Sequence, residues 1–96
     1  MFTGIVQEIG LVSKKTETSS GITLEVKATP KFLKNLTVGA SIAVNGVCLT
    51  VTNFSKDNIS FDVIPETLRV TNLNYISEGS KVNLERSLKF GDEVGG

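Results

Sequence analysis

The stretch SIAVNGVCLTVTNF, Ser41 to Phe54, decides the fold. Two runs of alternating residues flank Asn45-Gly46. That dipeptide is a strong short-range hairpin signal, because a type I′ turn needs positive φ at both central residues. Side chains along a strand point to opposite sides in turn. Val47, Leu49 and Val51 therefore share one face, and Cys48, Thr50 and Thr52 share the other. The first set is wholly aliphatic and belongs in a core. Cys48 and Thr50 are expected to look outward, on a face that a small barrel leaves uncovered.

The same period of two extends along most of the chain. GITLEVKA puts Ile22, Leu24 and Val26 on one side, NISFDVI does so with Ile59, Phe61 and Val63, and KVNLERS with Val82 and Leu84. TGIVQEIGLVS, from Thr3, reads as a further strand, more apolar and less cleanly alternating. SKDN (Ser55–Asn58) closes a second hairpin, and the polar KKTETSSG (Lys14–Gly21) reads as the loop joining the first two strands. Two segments change period. TPKFLKNL offers Thr29 as N-cap and Pro30 at the first helical position, and IPETLRVTNL repeats the device at Pro65. Short antiparallel strands, each with one apolar face, are best satisfied by closure, which removes exposed edges. The expected architecture is an all-β, closed six-stranded antiparallel, Greek-key-like β-barrel with two short helices. VGASIAV and EGSKVNL echo each other as two entries from Gly into a strand.

Composition narrows the function. Over 96 residues, Lys plus Arg equals Asp plus Glu at 10 each, so no net charge steers the chain toward a polyanion. No nucleic-acid partner is expected. One cysteine excludes an intrachain disulfide and suits a reducing compartment. With no histidine beside it, a zinc or iron site of the usual ligand types is not expected. No leader or spanning stretch is visible, so the expectation is a soluble, cytoplasmic protein with no membrane partner.

Parity on the next strand turns Phe61 and Val63 inward, Asp62 and Ile64 outward. A thiol, a hydroxyl, a carboxylate and an aliphatic side chain then share one outer patch, a mixture typical of ligand sites. The same pattern also fits ordinary semi-exposed strand residues, and a structural cysteine is commoner than a reactive one.

Four blocks in order, MFTGIV, VNGVCLTV, DVIPETLR and VNLERSLKFGDEVGG, resemble the first half of the riboflavin synthase family. The resemblance covers the whole chain. It implies one lumazine- or riboflavin-binding barrel over residues 1–96, the first of two, with residues 88–96 beginning the linker between them. It implies an enzyme that dismutates two molecules of 6,7-dimethyl-8-ribityllumazine into riboflavin and 5-amino-6-ribitylamino-uracil without metal or cofactor. A full-length homotrimer is implied, and a barrel standing alone is open to pairing as a homodimer. Matched motif by motif, the ligand-contacting residues are Gly4, Ile5, Val6, Cys48, Leu49, Thr50, Asp62, Val63, Ile64, Pro65, Glu66 and Thr67. Cys48, Ser41 and Phe2 are the residues tied to activity. Backbone groups of Gly4, Val6 and the turn at Ile64–Thr67 would meet the heterocycle, and Thr50 and Asp62 suit ribityl hydroxyls. The second barrel is absent from this stretch, so little or no turnover is expected. The alternative from another class is a non-catalytic lumazine or flavin carrier of the same fold.

Overall fold

In the computed structural model of the protein, residues 2–87 are described. Six strands, β1 (Glu8–Thr18), β2 (Gly21–Lys27), β3 (Ser41–Val44), β4 (Val47–Phe54), β5 (Asn58–Val63) and β6 (Lys81–Arg86), close into a barrel in the order β1-β2-β5-β4-β3-β6. Every adjacent pair is antiparallel. Two short helices, α1 (Pro30–Leu33) and α2 (Pro65–Val70), interrupt the strands, with a 3₁₀ turn at Leu73–Tyr75. The architecture is the one the alternation predicts. The linker expected over residues 88–96 lies outside the described residues.

The Asn45-Gly46 hairpin forms as its chemistry requires, with φ of +50° and +82° and Val44 opposite Val47. Both prolines open their helices, and the Thr29 hydroxyl accepts from the Phe32 N–H as an N-cap. Glu8 holds that corner, its carboxylate accepting from the N–H and hydroxyl of Thr29.

The first strand departs from expectation at both ends. It begins at Glu8 rather than Thr3, because Gly4 turns the chain with φ +81°. It also runs on through Lys14–Thr18, which the sequence presents as a loop; these residues pair with β2 down to Thr18 opposite Gly21. A bulge between Val12 and Lys14 breaks the alternation there, and backbone pairing with β2 extends the strand without apolar side chains of its own.

The inner face gathers Val12, Ile22, Leu24, Val26, Ile42, Val44, Leu49, Val51, Ile59, Phe61, Val63, Val82 and Leu84, joined by Phe32, Leu33, Leu36, Leu73 and Ile76 from the connections. Each large aliphatic or aromatic side chain buried this way contributes about 1.5–3 kcal/mol. Gly10 also faces the core, where a Cβ would come within 2.7 Å of both Leu84 and Val26. Closure of the barrel at that corner needs a residue without a side chain.

The faint sequence echo marks a repeated backbone pattern inside the barrel. The Gly39 N–H donates to the Val51 carbonyl and the Val51 N–H to the Ala40 carbonyl; Gly79, Val12 and Ser80 repeat the same pair of bonds. Both glycines have φ near +90°, and β1 and β4 both carry a bulge just after the bonded valine. The run β1-β2-α1-β3 is thus answered by β4-β5-α2-β6.

Candidate functional site

Strand register sets two rows of side chains on the outer surface. Ser41 of β3 stands opposite Thr50 of β4, and Asp62 of β5 opposite Thr23 of β2. The β4–β5 pairing of Val51 with Phe61 sets Thr50 and Asp62 one step further along the same ladder. The row therefore reads Thr23, Asp62, Thr50, Ser41. Two residues along, Cys48 stands opposite Ala43, and Ala43 opposite Glu85 of β6.

Cys48, Thr50 and Asp62 are exposed, as the parity argument predicts, and Ser41 is half-buried. The Thr23 hydroxyl donates to Asp62 Oδ1 at 3.1 Å, which leaves the second carboxylate oxygen turned to solvent. No hydrogen bond or ion pair is made to the Cys48 sulfur among the described residues. Leu49 and Val63 belong to the matched stretches, but their side chains are buried in the core, so they can meet a ligand only through backbone atoms. Ile64 is 58% exposed and, with Pro65 and Glu66, forms the entry to α2. The Glu66 carboxylate is engaged by Arg69, with Nη2 to Oε1 at 2.6 Å. Thr67 is half-buried in the first turn; the first intrahelical bond there runs from the Leu68 N–H to the Ile64 carbonyl. The amides of Glu66 and Thr67 therefore precede the helical ladder and point out of its start.

The segment before β1 lies beside this face. Phe2 is half-buried, while Gly4, Ile5 and Val6 are exposed. Glu85 fastens the segment: Oε2 accepts from the Thr3 N–H at 2.6 Å and the Thr3 hydroxyl at 2.8 Å, and Oε1 accepts from the Gly4 N–H at 3.0 Å. These bonds hold the Glu85 carboxyl below the usual glutamate range, the Thr3 N–H most of all, against burial that pushes it up. Ala43 points outward by parity and is nevertheless 6% exposed, so its outer side is covered. A Cβ at Gly4 would meet no atom within 4 Å, so the turn rather than crowding requires glycine, and the space beside it is open. Glu85 is the residue beside this face that sequence reasoning did not single out. In KVNLERS it occupies an outward position, where a carboxylate reads as ordinary surface.

A hollow of about 340 Å³ adjoins the row at Ser41, lined also by Asn35, Thr37, Val38, Arg86 and Ser87. Cys48, Thr50 and Thr67 are not among its walls. The face around Cys48 is an open sheet surface with a latched rim.

Comparison with known proteins follows the same lines. The family model of the lumazine binding domain matches residues 3–87. A riboflavin synthase of Bacillus subtilis (strain 168) is 45% identical over 96 residues, covering 100% of this chain and 44% of that protein. A riboflavin synthase of Chlamydia pneumoniae is 48% identical over 96 residues, with 100% and 48% covered. The chain thus spans less than half the length of these relatives. Among solved structures, LumP complexed with riboflavin superposes with a TM-score of 0.88 at 32% identity, over 99% of this chain and 51% of that one.

Proposed function

The chain belongs to the lumazine-binding domain family, and on that premise we propose that it is the ligand-binding first barrel of a riboflavin synthase. The single observation that carries this reading is the outward face of Cys48, Thr50 and Asp62 bordered by the latched Gly4–Val6 segment. A flat heterocycle lies against Cys48 and Ile64, with the backbone of Gly4, Ile5 and Val6 at one edge and of Val63–Thr67 at the other. Thr50, Ser41 and the free oxygen of Asp62 take ribityl hydroxyls. Phe2, the most shielded residue of the leading segment, braces that rim.

In the whole protein's dismutation of 6,7-dimethyl-8-ribityllumazine, a ring methyl loses a proton into a base, the anion delocalises into the heterocycle, and a nucleophile adds at the neighbouring ring carbon. Cys48 or Ser41 is the candidate nucleophile on this barrel. Either needs a group that lowers its pKa or takes its proton, and the chain has no histidine. That group and the second substrate molecule come from the second barrel. Juxtaposing the two molecules is itself worth ~7–11 kcal/mol. This barrel alone therefore binds and does not turn over. Trimerisation of the whole protein, pairing of lone barrels and a cytoplasmic location complete the proposal.

A second reading, a lumazine or flavin carrier, draws on the unpartnered Cys48 sulfur and on the likeness to LumP. Titrating the chain with riboflavin, followed by flavin fluorescence, tests the shared ligand claim. The expected result is saturable quenching in the micromolar range, with no riboflavin formed from the lumazine. No spectral change at high micromolar protein contradicts it. Riboflavin formation once the second half of the Bacillus subtilis relative is fused to the chain favours the enzyme over the carrier.

A further inference from the structure

We propose that Glu85 is a positioning residue of the ligand face, whose carboxylate fixes the Phe2–Val6 segment where the backbone of Gly4 and Val6 borders the Cys48–Thr50 row. This rests on the ligand reading above.

Glu85 is the buried charged residue of the described chain, at 6% exposure. A carboxylate taken out of water is costly unless hydrogen bonds satisfy it. Here both oxygens are satisfied, and all three donors come from Thr3 and Gly4, more than eighty residues away in sequence. Charge-assisted bonds of this kind are short and roughly twice as strong as neutral ones. The register adds the direction. Glu85 stands opposite Ala43, and Ala43 opposite Cys48, so the segment that Glu85 holds reaches the row carrying the thiol.

The segment has a second anchor. The Gln7 N–H donates to the Leu84 carbonyl at 2.9 Å, and the Gln7 side-chain oxygen accepts from the Arg86 N–H at 2.8 Å. Only Ile5 and Val6 lie between the anchors. The Ile5 N–H turns back to the Thr3 hydroxyl at 3.1 Å and closes the bend at Gly4. Ile5 and Val6 remain 53% and 48% exposed, so their side chains do not tie the loop to the core. Polar bonds at its two ends set its place, and Glu85 supplies those nearest Cys48. With both oxygens engaged by the segment, the carboxylate serves geometry rather than proton transfer.

The test uses the 96-residue chain and two variants, Glu85→Gln and Thr3→Val. Hydrogen exchange is read at the Thr3 and Gly4 amides and, as a control, at Leu24 and Phe61 in the core; riboflavin affinity is measured in parallel. In Glu85→Gln, exchange at Thr3 and Gly4 is expected to rise about tenfold or more and riboflavin Kd to weaken about tenfold, the scale of losing bonds to a charged group. Leu24 and Phe61 keep their protection. Thr3→Val, which removes one of the three bonds to Glu85 together with the Ile5 N–H bond to the same hydroxyl, shows the same pattern at about threefold or more, and it carries the test if Glu85→Gln does not fold. Freed Thr3 and Gly4 amides with unchanged affinity would overturn the proposal, as would weaker binding accompanied by lost core protection. A wild-type chain that binds no riboflavin contradicts the underlying ligand reading instead, while the exchange rates still report whether Glu85 holds the segment.

Discussion

The two halves of the barrel share a backbone plan and differ in what they turn outward. Counted from the equivalent Val12 and Val51, Ile9 and Leu11 of β1 are the counterparts of Cys48 and Thr50 of β4. Counted from the two helix-opening prolines, Lys27 answers Asp62. One outer face is thus aliphatic and flanked by lysine, and the other carries a thiol, a hydroxyl and a carboxylate. The rims differ as well. Glu85 clasps the leading segment beside β4, whereas its counterpart Asn45 sits in the hairpin turn and accepts from the Asn83 N–H. The lesson is that one backbone plan used twice makes the scaffold, and a few outward side chains plus one clasp make its halves unlike.

The inner faces differ where Gly10 answers Leu49. Leu49 is 5% exposed in the core, and truncation to Ala is expected to cost about 3 kcal/mol in a denaturant titration. Gly10 sits where Leu84 and Val26 already fill the space. Adding a methyl there should cost about 1–2 kcal/mol, the ordinary scale of overpacking. If Gly10→Ala were neutral or stabilising, the two halves would not be packed as differently as described.

A smaller effect separates the rims. A carboxyl whose folded pKa lies below its unfolded value adds stability that is complete above the unfolded value and is lost as pH falls through the folded one. Glu85 is such a group. The clasp is therefore intact at neutral pH and opens only in acid, as pH falls below the ordinary glutamate range. An acid titration by NMR should move the Thr3 and Gly4 amides there and leave those of Ile9 and Leu11 in place. Release of Thr3 and Gly4 well above pH 5 would contradict the clasp.

How much of this was legible in the sequence follows from how local each cause is. Asn45-Gly46, Pro30 and Pro65 act within a few residues, and each forms its turn or helix as read. Alternation in Val47–Val51 and Ile59–Val63 needs only the pleat, so the direction of Cys48, Thr50 and Asp62 could be read as well. Lys14–Thr18 could not, since its strand state comes from pairing with β2 across a bulge that erases the period. The Thr3–Glu85 contact had no local signal, because its partners lie at opposite ends of the described chain. The repeat was audible at Gly39 and Gly79 and at the two helix-opening prolines, for elsewhere the halves share hydrogen bonds rather than side chains.

The central claim is that the β4 face, not its β1 counterpart, receives the flavin. Thr50→Leu and Leu11→Thr exchange single exposed residues between the faces, so both variants should fold as the wild type does. Riboflavin titrations of the two, side by side, are expected to show affinity weakened about tenfold or more by Thr50→Leu, the scale of a lost polar contact with an apolar group left against a ribityl chain, and Leu11→Thr within about twofold of wild type. Undiminished binding by Thr50→Leu, or weakened binding by Leu11→Thr alone, would place the ligand elsewhere and contradict the account.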